Sequence, residues 1–249
     1  IIAREIKDKP SRVRVFSTLA QYLKDDLQTY VISEVLSVAR EIEEESYRSN
    51  ALSDIAPLLN GVLKPQVISE ALSDARKIKD AYHRSSALSR LISQLKNEIQ
   101  AQVISEALDA ARIIKVDSDR AHALIALISH LTDKLRAETI SSVLKIVHGI
   151  RDEYSRTEII RAIFPQLDDE LKTEVLINVQ EFNDGTIQSI ALAALLPHLN
   201  KETQITILKE NLHLINSSII SVSERINEIW KEFEYKDLDK NIIPIVKFV

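Results

Sequence analysis

The sequence repeats itself every 36 residues. The string Val-Ile-Ser-Glu-x-Leu begins at Val31, Val67 and Val103, and a weaker copy begins at Thr139. An arginine and a leucine keep the same step over five copies: Arg12, Arg48, Arg84, Arg120 and Arg156, and Leu23, Leu59, Leu95, Leu131 and Leu167. A period of this length is typical of arrays in which each repeat buries its apolar face only by stacking on its neighbours.

Each repeat reads as a pair of helices, A and B. In the third copy, helix A is predicted from about Asp80 to Leu95 and helix B from about Ile99 to Ile114, because apolar residues follow the spacing of one helical face. The predicted buried faces are Ala87, Leu88, Leu91, Ile92 and Leu95 for helix A, and Val103, Ile104, Ala107, Leu108 and Ala111 for helix B. Short polar breaks such as Asn60-Gly61 separate A from B. The pattern predicts an all-α solenoid of tandem helix-turn-helix repeats.

The composition of the chain excludes several kinds of function but does not identify one. The 249 residues include 3 glycines and no cysteine, which excludes disulfides, thiolate metal sites and cysteine nucleophiles. The formal net charge of −5 argues mildly against a phosphate-backbone partner. No apolar run is long enough to cross a membrane, and no signal peptide is visible, so we expect a cytoplasmic protein without a membrane partner.

The predicted array covers residues 1–216 as about six helix pairs, the first of them truncated. Ile1–Lys7 matches the end of a helix B, so we expect the array to continue upstream within a larger protein. Beyond the fifth copy, the segment ending at Leu167 reappears 32 residues later at Leu199, which predicts a helix B shortened by about one turn. Residues 217–249 are expected to form a capping helix and an apolar tail.

An acid and an arginine four residues apart recur where helix B gives way to the next helix A. These elbow pairs are Asp8 and Arg12, Glu44 and Arg48, Asp80 and Arg84, and Asp152 and Arg156. The arginines could form an anion-binding ladder. The favoured interpretation is structural: the acid caps the incoming helix A and pairs with its basic neighbours, since a residue found in every repeat usually maintains the repeat.

A row of glutamates is the best candidate for a partner-binding feature. Glu34, Glu70 and Glu106 occupy one position of successive helices B, and stacking at about 10 Å per helix would align them. Three unpaired like charges could attract a basic peptide. A solvated polar face is the simpler interpretation of the same row, and it is the favoured one.

Signals for chemistry are missing from the sequence. The six histidines show no metal-ligand spacing, and there is no phosphate-binding glycine loop or nucleophile elbow. We therefore expect no enzyme activity, no cofactor and no metal.

The repeat resembles the HEAT, armadillo and tetratricopeptide superfamily of α-solenoids, and especially the degenerate helix-pair repeats of large bacterial proteins such as signalling ATPases. The resemblance is carried by the segments that run from Arg48 to Leu59 and from Ile68 to Asp80, and it covers roughly residues 1–200. It implies a right-handed superhelix and a role in protein binding or sensing. Fold does not fix function, so this implication is an analogy.

Two functional hypotheses follow. The first is a non-catalytic interaction scaffold or recognition module whose partner is another protein or peptide. The alternative is a nucleic-acid-binding helical repeat that presents its arginine series on a basic face, which would give strongly salt-dependent binding.

Overall fold

The computed structural model describes residues 5–215, and this part of the chain is all-α. It contains twelve α-helices and no β-strand within those residues. The helices are α1 Lys9–Ala20, α2 Asp25–Arg40, α3 Glu45–Ile55, α4 Leu63–Lys77, α5 Ala81–Ile92, α6 Asn97–Arg112, α7 Asp117–Ile128, α8 Asp133–Gly149, α9 Glu153–Ile163, α10 Asp169–Gln180, α11 Gly185–Leu195 and α12 Lys201–Ile215. The predicted fold class, tandem helix pairs in a solenoid-like array, is confirmed. The expected cap and tail, 217–249, lie outside the described residues.

The described residues divide into two compact units, with the boundary between Val143 and Leu144 inside α8. The first unit holds α1 to α7 and the beginning of α8. The second unit holds the end of α8 and α9 to α12. In both units the odd-numbered helices are helices A and the even-numbered ones are helices B.

The A helices of the first unit form a packed layer. Within this layer α1 contacts α3, α3 contacts α5 and α5 contacts α7, and α1, α3 and α5 also pack against the helix B that follows each of them. Ile55, Leu91, Leu127, Ile92 and Ile128 become fully buried in these contacts. The first three share one position of the repeat and the last two share the next. Burying each such side chain contributes about 1.5–3 kcal/mol, so one apolar pattern stacks every repeat.

The predicted buried face of the third repeat is confirmed apart from two positions. All its members are buried except Leu95 and Ile104, which are half-buried. Leu95 lies beyond the end of α5, which stops at Ile92. The prediction therefore made helix A too long by about one turn.

The first three turns from helix A to helix B, those before α2, α4 and α6, each contain one left-handed residue. Asp25, Gly61 and Asn97 stand 36 residues apart and have φ angles of 53°, 60° and 54°. Glycine adopts this conformation freely, and Asn and Asp tolerate it better than other residues. The polar breaks seen in the sequence are therefore turns whose residue type is set by the backbone.

In two of these turns a glutamine of helix B also donates a side-chain hydrogen bond to a backbone carbonyl of helix A. The side-chain amide of Gln28 donates to the carbonyl oxygen of Ala20 at 2.9 Å, and that of Gln100 donates to Ile92 at 3.1 Å. Both acceptors lie in the last turn of a helix A, where carbonyl groups have no partner within the helix. Helix B thus supplies a hydrogen-bond donor for the last carbonyl group of helix A.

Three helices A end in a proline-containing 3-10 turn. The turns are Ala56–Leu58, Phe164–Gln166 and Leu196–His198, with Pro57, Pro165 and Pro197 at their centres. Proline cannot donate the hydrogen bond that would continue an α-helix. The sequence suggested a kink in the last helical turn, whereas the α-helix ends and a tighter turn replaces it.

The shortened repeat step is confirmed as a shortened helix B. In the second unit α10 has 12 residues, whereas α2 and α6 of the first unit have 16 each. Four residues are about one helical turn, so the buried positions Val175, Leu176 and Val179 keep their orientation.

Substitution of Gly61 tests the backbone argument. A Cβ at Gly61 would meet no atom within 4 Å, so the cost of Gly61→Ala is conformational. We expect Gly61→Ala to lower the free energy of unfolding by about 1–2 kcal/mol, and Gly61→Asn to cost clearly less, as Asn97 fills this position one repeat later. Urea denaturation followed by circular dichroism measures both. Equal costs for the two variants would contradict the argument.

Candidate protein-interaction surface

The elbow acids cap helices A, as the structural interpretation expected. The carboxylate accepts a hydrogen bond from the backbone N–H three residues later, at 2.8 Å for Asp8, 2.8 Å for Asp80 and 2.7 Å for Asp152. At Asp8 and Asp152 the pKa lies below its usual value because a serine at the capped position stabilises the ionised form. Glu44 departs from this pattern and accepts instead from the hydroxyl of Ser46 at 2.6 Å.

The elbow arginines do not pair with these acids, which corrects the expectation. Each guanidinium donates to the carbonyl oxygen six residues earlier, at the end of the preceding helix B or just after it. The donors are Arg12 to Ile6 at 2.7 Å, Arg48 to Ile42 at 2.6 Å, Arg84 to Ile78 at 2.7 Å, Arg120 to Ile114 at 2.8 Å and Arg156 to Ile150 at 2.6 Å. The aspartates start helix A, and the arginines satisfy a carbonyl of the connection after helix B, one or two residues beyond the end of α2, α4, α6 and α8.

One of these arginines also forms a buried ion pair. Arg48 reaches the carboxylate of Asp74 with two bonds of 2.7 and 3.0 Å, and Asp74 is only 7% exposed. Burial alone would raise the pKa of Asp74, but hydrogen bonds from Arg48 and Lys77 outweigh it and the pKa is lowered. The sequence carried a signal for this pair: Asp74 stands where the neighbouring repeats have Val38 and Ala110.

The glutamate row is not a row of unpaired charges. Arg40 binds Glu70 through two bonds of 2.9 Å, and Arg76 binds Glu106 through bonds of 2.8 and 2.9 Å. Glu34 also takes part in a polar interaction. The premise for attracting a basic peptide is therefore wrong at Glu70 and Glu106. In each case an arginine near the end of one helix B reaches the next helix B 30 residues later, so the row joins neighbouring repeats.

The A helices of the first unit carry two adjoining clefts, which we call the A-helix groove. The first cleft, of about 740 Å³, lies along α1 and α3 and is lined by residues that include Tyr47 and Asn50. The second, of about 360 Å³, adds α5 and is lined by residues that include Ser53. Arg14 and Asp54 line both clefts. Sequence reasoning missed this groove because no motif marks it.

The groove holds polar atoms that lack partners. Within the described part of the chain, the buried side-chain oxygens without a hydrogen bond are Ser17 Oγ, Asn50 Oδ1, Ser53 Oγ and Gln94 Oε1, and all four residues line the groove. Buried polar groups in native proteins are nearly always paired, and an unpaired one costs about 1–3 kcal/mol. All four of these atoms lie in or just beneath the walls of one groove.

Metal-binding groups and acids with shifted pKa values point to no other kind of site in residues 5–215. No group of three or more His, Asp or Glu side chains is arranged there to hold a metal ion. The acids whose pKa values are lowered serve as caps or bind arginines and backbone amides. Glu153, for example, accepts hydrogen bonds from the backbone N–H groups of Asn183 and Asp184 at 2.8 and 3.0 Å.

None of the helices in the described region is both long and apolar enough to cross a bilayer. Comparison of the chain with protein-family models, with curated proteins and with solved structures finds no match.

Comparison of Arg48 and Arg84, which occupy the same position in successive repeats, tests how much the buried ion pair of Arg48 contributes to stability. Arg84→Ala removes two hydrogen bonds to carbonyls, and we expect it to cost about 1–3 kcal/mol. Arg48→Ala also leaves Asp74 buried without its main partner, so we expect about 3–5 kcal/mol. Urea denaturation measures both, and the double variant Arg48→Ala/Asp74→Ala should recover part of the loss. Equal costs for the two single variants would show that Asp74 is not dependent on Arg48.

Acid should destabilise the fold through the paired carboxylates. The hydrogen bond from Arg76 lowers the pKa of Glu106, so the folded state binds fewer protons than the unfolded chain. The stability that this pair contributes is present above the unfolded pKa, about 4.3, and is lost as the pH falls through the lower folded value.

We therefore expect Glu106→Gln to reduce the difference in unfolding free energy between neutral and acidic pH. Glu98→Gln is the matched control, since Glu98 lies exposed on the same helix and forms no ion pair with described residues. Urea titrations at several pH values measure the difference. An unchanged pH dependence in Glu106→Gln would contradict the role of the ion pair.

Proposed function

We propose that this chain is a non-catalytic protein-interaction module that binds an extended segment of a partner protein in the A-helix groove. The unpartnered buried polar atoms of the groove carry this proposal. Asn50 and Gln94 offer carbonyl oxygens that need donors, and Ser17 and Ser53 offer hydroxyls that donate and accept. An extended peptide presents backbone N–H and C=O groups at regular intervals, and these groups match both needs.

The shape of the groove favours a peptide over a small metabolite. The first cleft lies along α1 and α3, and the second also reaches α5. The two clefts share Arg14 and Asp54 in their walls, so they form one elongated groove. Compact ligands prefer an enclosed and mainly apolar pocket. The A-helix groove is open, and its walls mix polar and apolar surface. Tyr47, which is 53% exposed, supplies an aromatic contact surface in the first cleft.

The nucleic-acid alternative has lost its main argument. It relied on the arginine series, and all five of those guanidinium groups donate to backbone carbonyls of the chain itself. A phosphate contact would have to compete with these hydrogen bonds. The net charge of −5 adds no general attraction for phosphates.

A blocking substitution in the groove tests the proposal. Thr18 is exposed, lines the second cleft and donates to the carbonyl oxygen of Arg14 at 2.9 Å. Thr29 on α2 is also exposed and donates to the carbonyl oxygen of Asp25 at 3.3 Å, but it does not line the groove. Thr18→Trp and Thr29→Trp therefore form a matched pair, of which only the first fills the groove.

Short random peptides displayed on phage are selected against the full chain, and the enriched peptides are measured by fluorescence anisotropy. We expect Thr18→Trp to weaken binding about tenfold or more, which corresponds to about 1.4 kcal/mol, and Thr29→Trp to bind like the unsubstituted chain. Failure to enrich any peptide, or equal binding by the two variants, would overturn the proposal. Salt-dependent binding of labelled random oligonucleotides in place of peptides would favour the alternative.

A further inference from the structure

We propose that the second cleft of the A-helix groove binds an acidic side chain of the partner segment, with Arg14 as the residue that holds its carboxylate. This inference rests on the proposed function and specifies the chemistry of the partner. The proposed partner segment is acidic, whereas the glutamate row suggested a basic one.

Arg14 is a positive charge without a close partner. Its guanidinium makes no hydrogen bond and no ion pair with any residue in the described part of the chain, and its side chain is exposed. It acts at longer range on Asp8, whose pKa it helps to lower after the larger effect of Ser11. Asp8 itself is occupied as the cap of α1. An arginine fork that lines two clefts is free to take a carboxylate through two parallel bonds.

The charges of the second cleft leave a positive excess. Its charged lining residues are Arg14, Arg90 and Asp54. Arg90 neutralises Asp54 across 36 residues with an N–O distance of 2.5 Å. Arg14 therefore remains as the uncompensated charge among the residues that line this cleft. A basic side chain entering here would meet two arginines, whereas an acidic one would complete the pairing.

Hydroxyl groups beside Arg14 suit the same ligand. Ser17 and Ser53 are only 5% and 3% exposed, they line the second cleft, and their hydroxyl oxygens have no partner among residues 5–215. Both oxygens lie just beneath the lining of the cleft, so a carboxylate would reach them only after the hydroxyls rotate toward it, and Arg14 is the group that is already accessible. Gln94 donates its amide to the carbonyl oxygen of Ser53 at 3.0 Å, which leaves its own oxygen to accept from a peptide N–H.

The size of the cleft fits one side chain and not a folded surface. About 360 Å³ is at the lower end of the volumes of ligand pockets. A glutamate or aspartate on an extended segment can enter it while the backbone follows the groove. The adjoining first cleft, which shares Arg14, would hold the neighbouring residues of the segment.

Charge exchange at Arg14 tests this inference. The probes are labelled random peptides with one fixed central position that is Glu, Gln or Lys, and their binding to the full chain is measured by fluorescence anisotropy. The variants are Arg14→Gln, Arg14→Glu and the control Arg151→Gln. Arg151 is also exposed and forms no ion pair with described residues, but it belongs to the second unit and does not line the groove.

We expect the unsubstituted chain and Arg151→Gln to bind the Glu peptides about tenfold or more tightly than the Gln peptides. Arg14→Gln should remove this preference, and Arg14→Glu should transfer it to the Lys peptides. Circular dichroism and thermal denaturation verify that the variants fold. Binding without a preference for Glu, or a preference that survives Arg14→Gln, would overturn this inference and leave the proposed function standing. Absence of binding by all three peptide sets would overturn both.

Discussion

Backbone carbonyls at the ends of the helices set the strictest requirement on this fold. Every helix leaves its last carbonyl groups without an internal partner, and an array of many short helices has many such ends. At five elbows an arginine donates to the carbonyl oxygen six residues earlier, as in Arg84 and Ile78. At three of them an aspartate four residues before the arginine caps the next helix. Where both residues are present, one stabilises the connection after helix B and the other starts helix A, which explains why the pair recurs in several repeats.

Ion pairs between helices B use up the charges that the sequence seemed to offer to a partner. Arg40 and Arg76 each donate from two guanidinium nitrogens, Nε and Nη2, to a glutamate carboxylate of the next helix B. Such pairs are partly exposed, so each contributes modestly to stability, but each fixes the position of one repeat relative to the next. The same face is then locally neutral. Under the proposed function, recognition by charge would depend on single side chains without a close partner, and in the second cleft of the A-helix groove Arg14 is such a side chain.

Periodicity predicted what every repeat shares, and it missed what single repeats do differently. The helix pairs, the buried columns and the capping acids could be read from the sequence, because each is a local pattern repeated with one step. The partner of the elbow arginines was predicted wrongly, since spacing along a helix suggests a side chain four residues away and cannot show a carbonyl beyond the helix end. The pairing of Glu70 and the groove itself depend on how neighbouring repeats stack, and this geometry is not visible in the residues of one repeat.

Helix A combines a position that repeats in residue type with a position that varies from repeat to repeat. Arg12 and its equivalents keep one residue type through five repeats because they hold the backbone. Two positions further on, the four repeats of the first unit have Arg14, Asn50, Ser86 and His122, which are exposed or half-buried. No common structural need fixes these residues, so each can carry a different chemistry on one scaffold. Arg14 and Asn50 of this position line the A-helix groove, so the groove presents different chemistry at successive repeats, which would suit the extended partner proposed above.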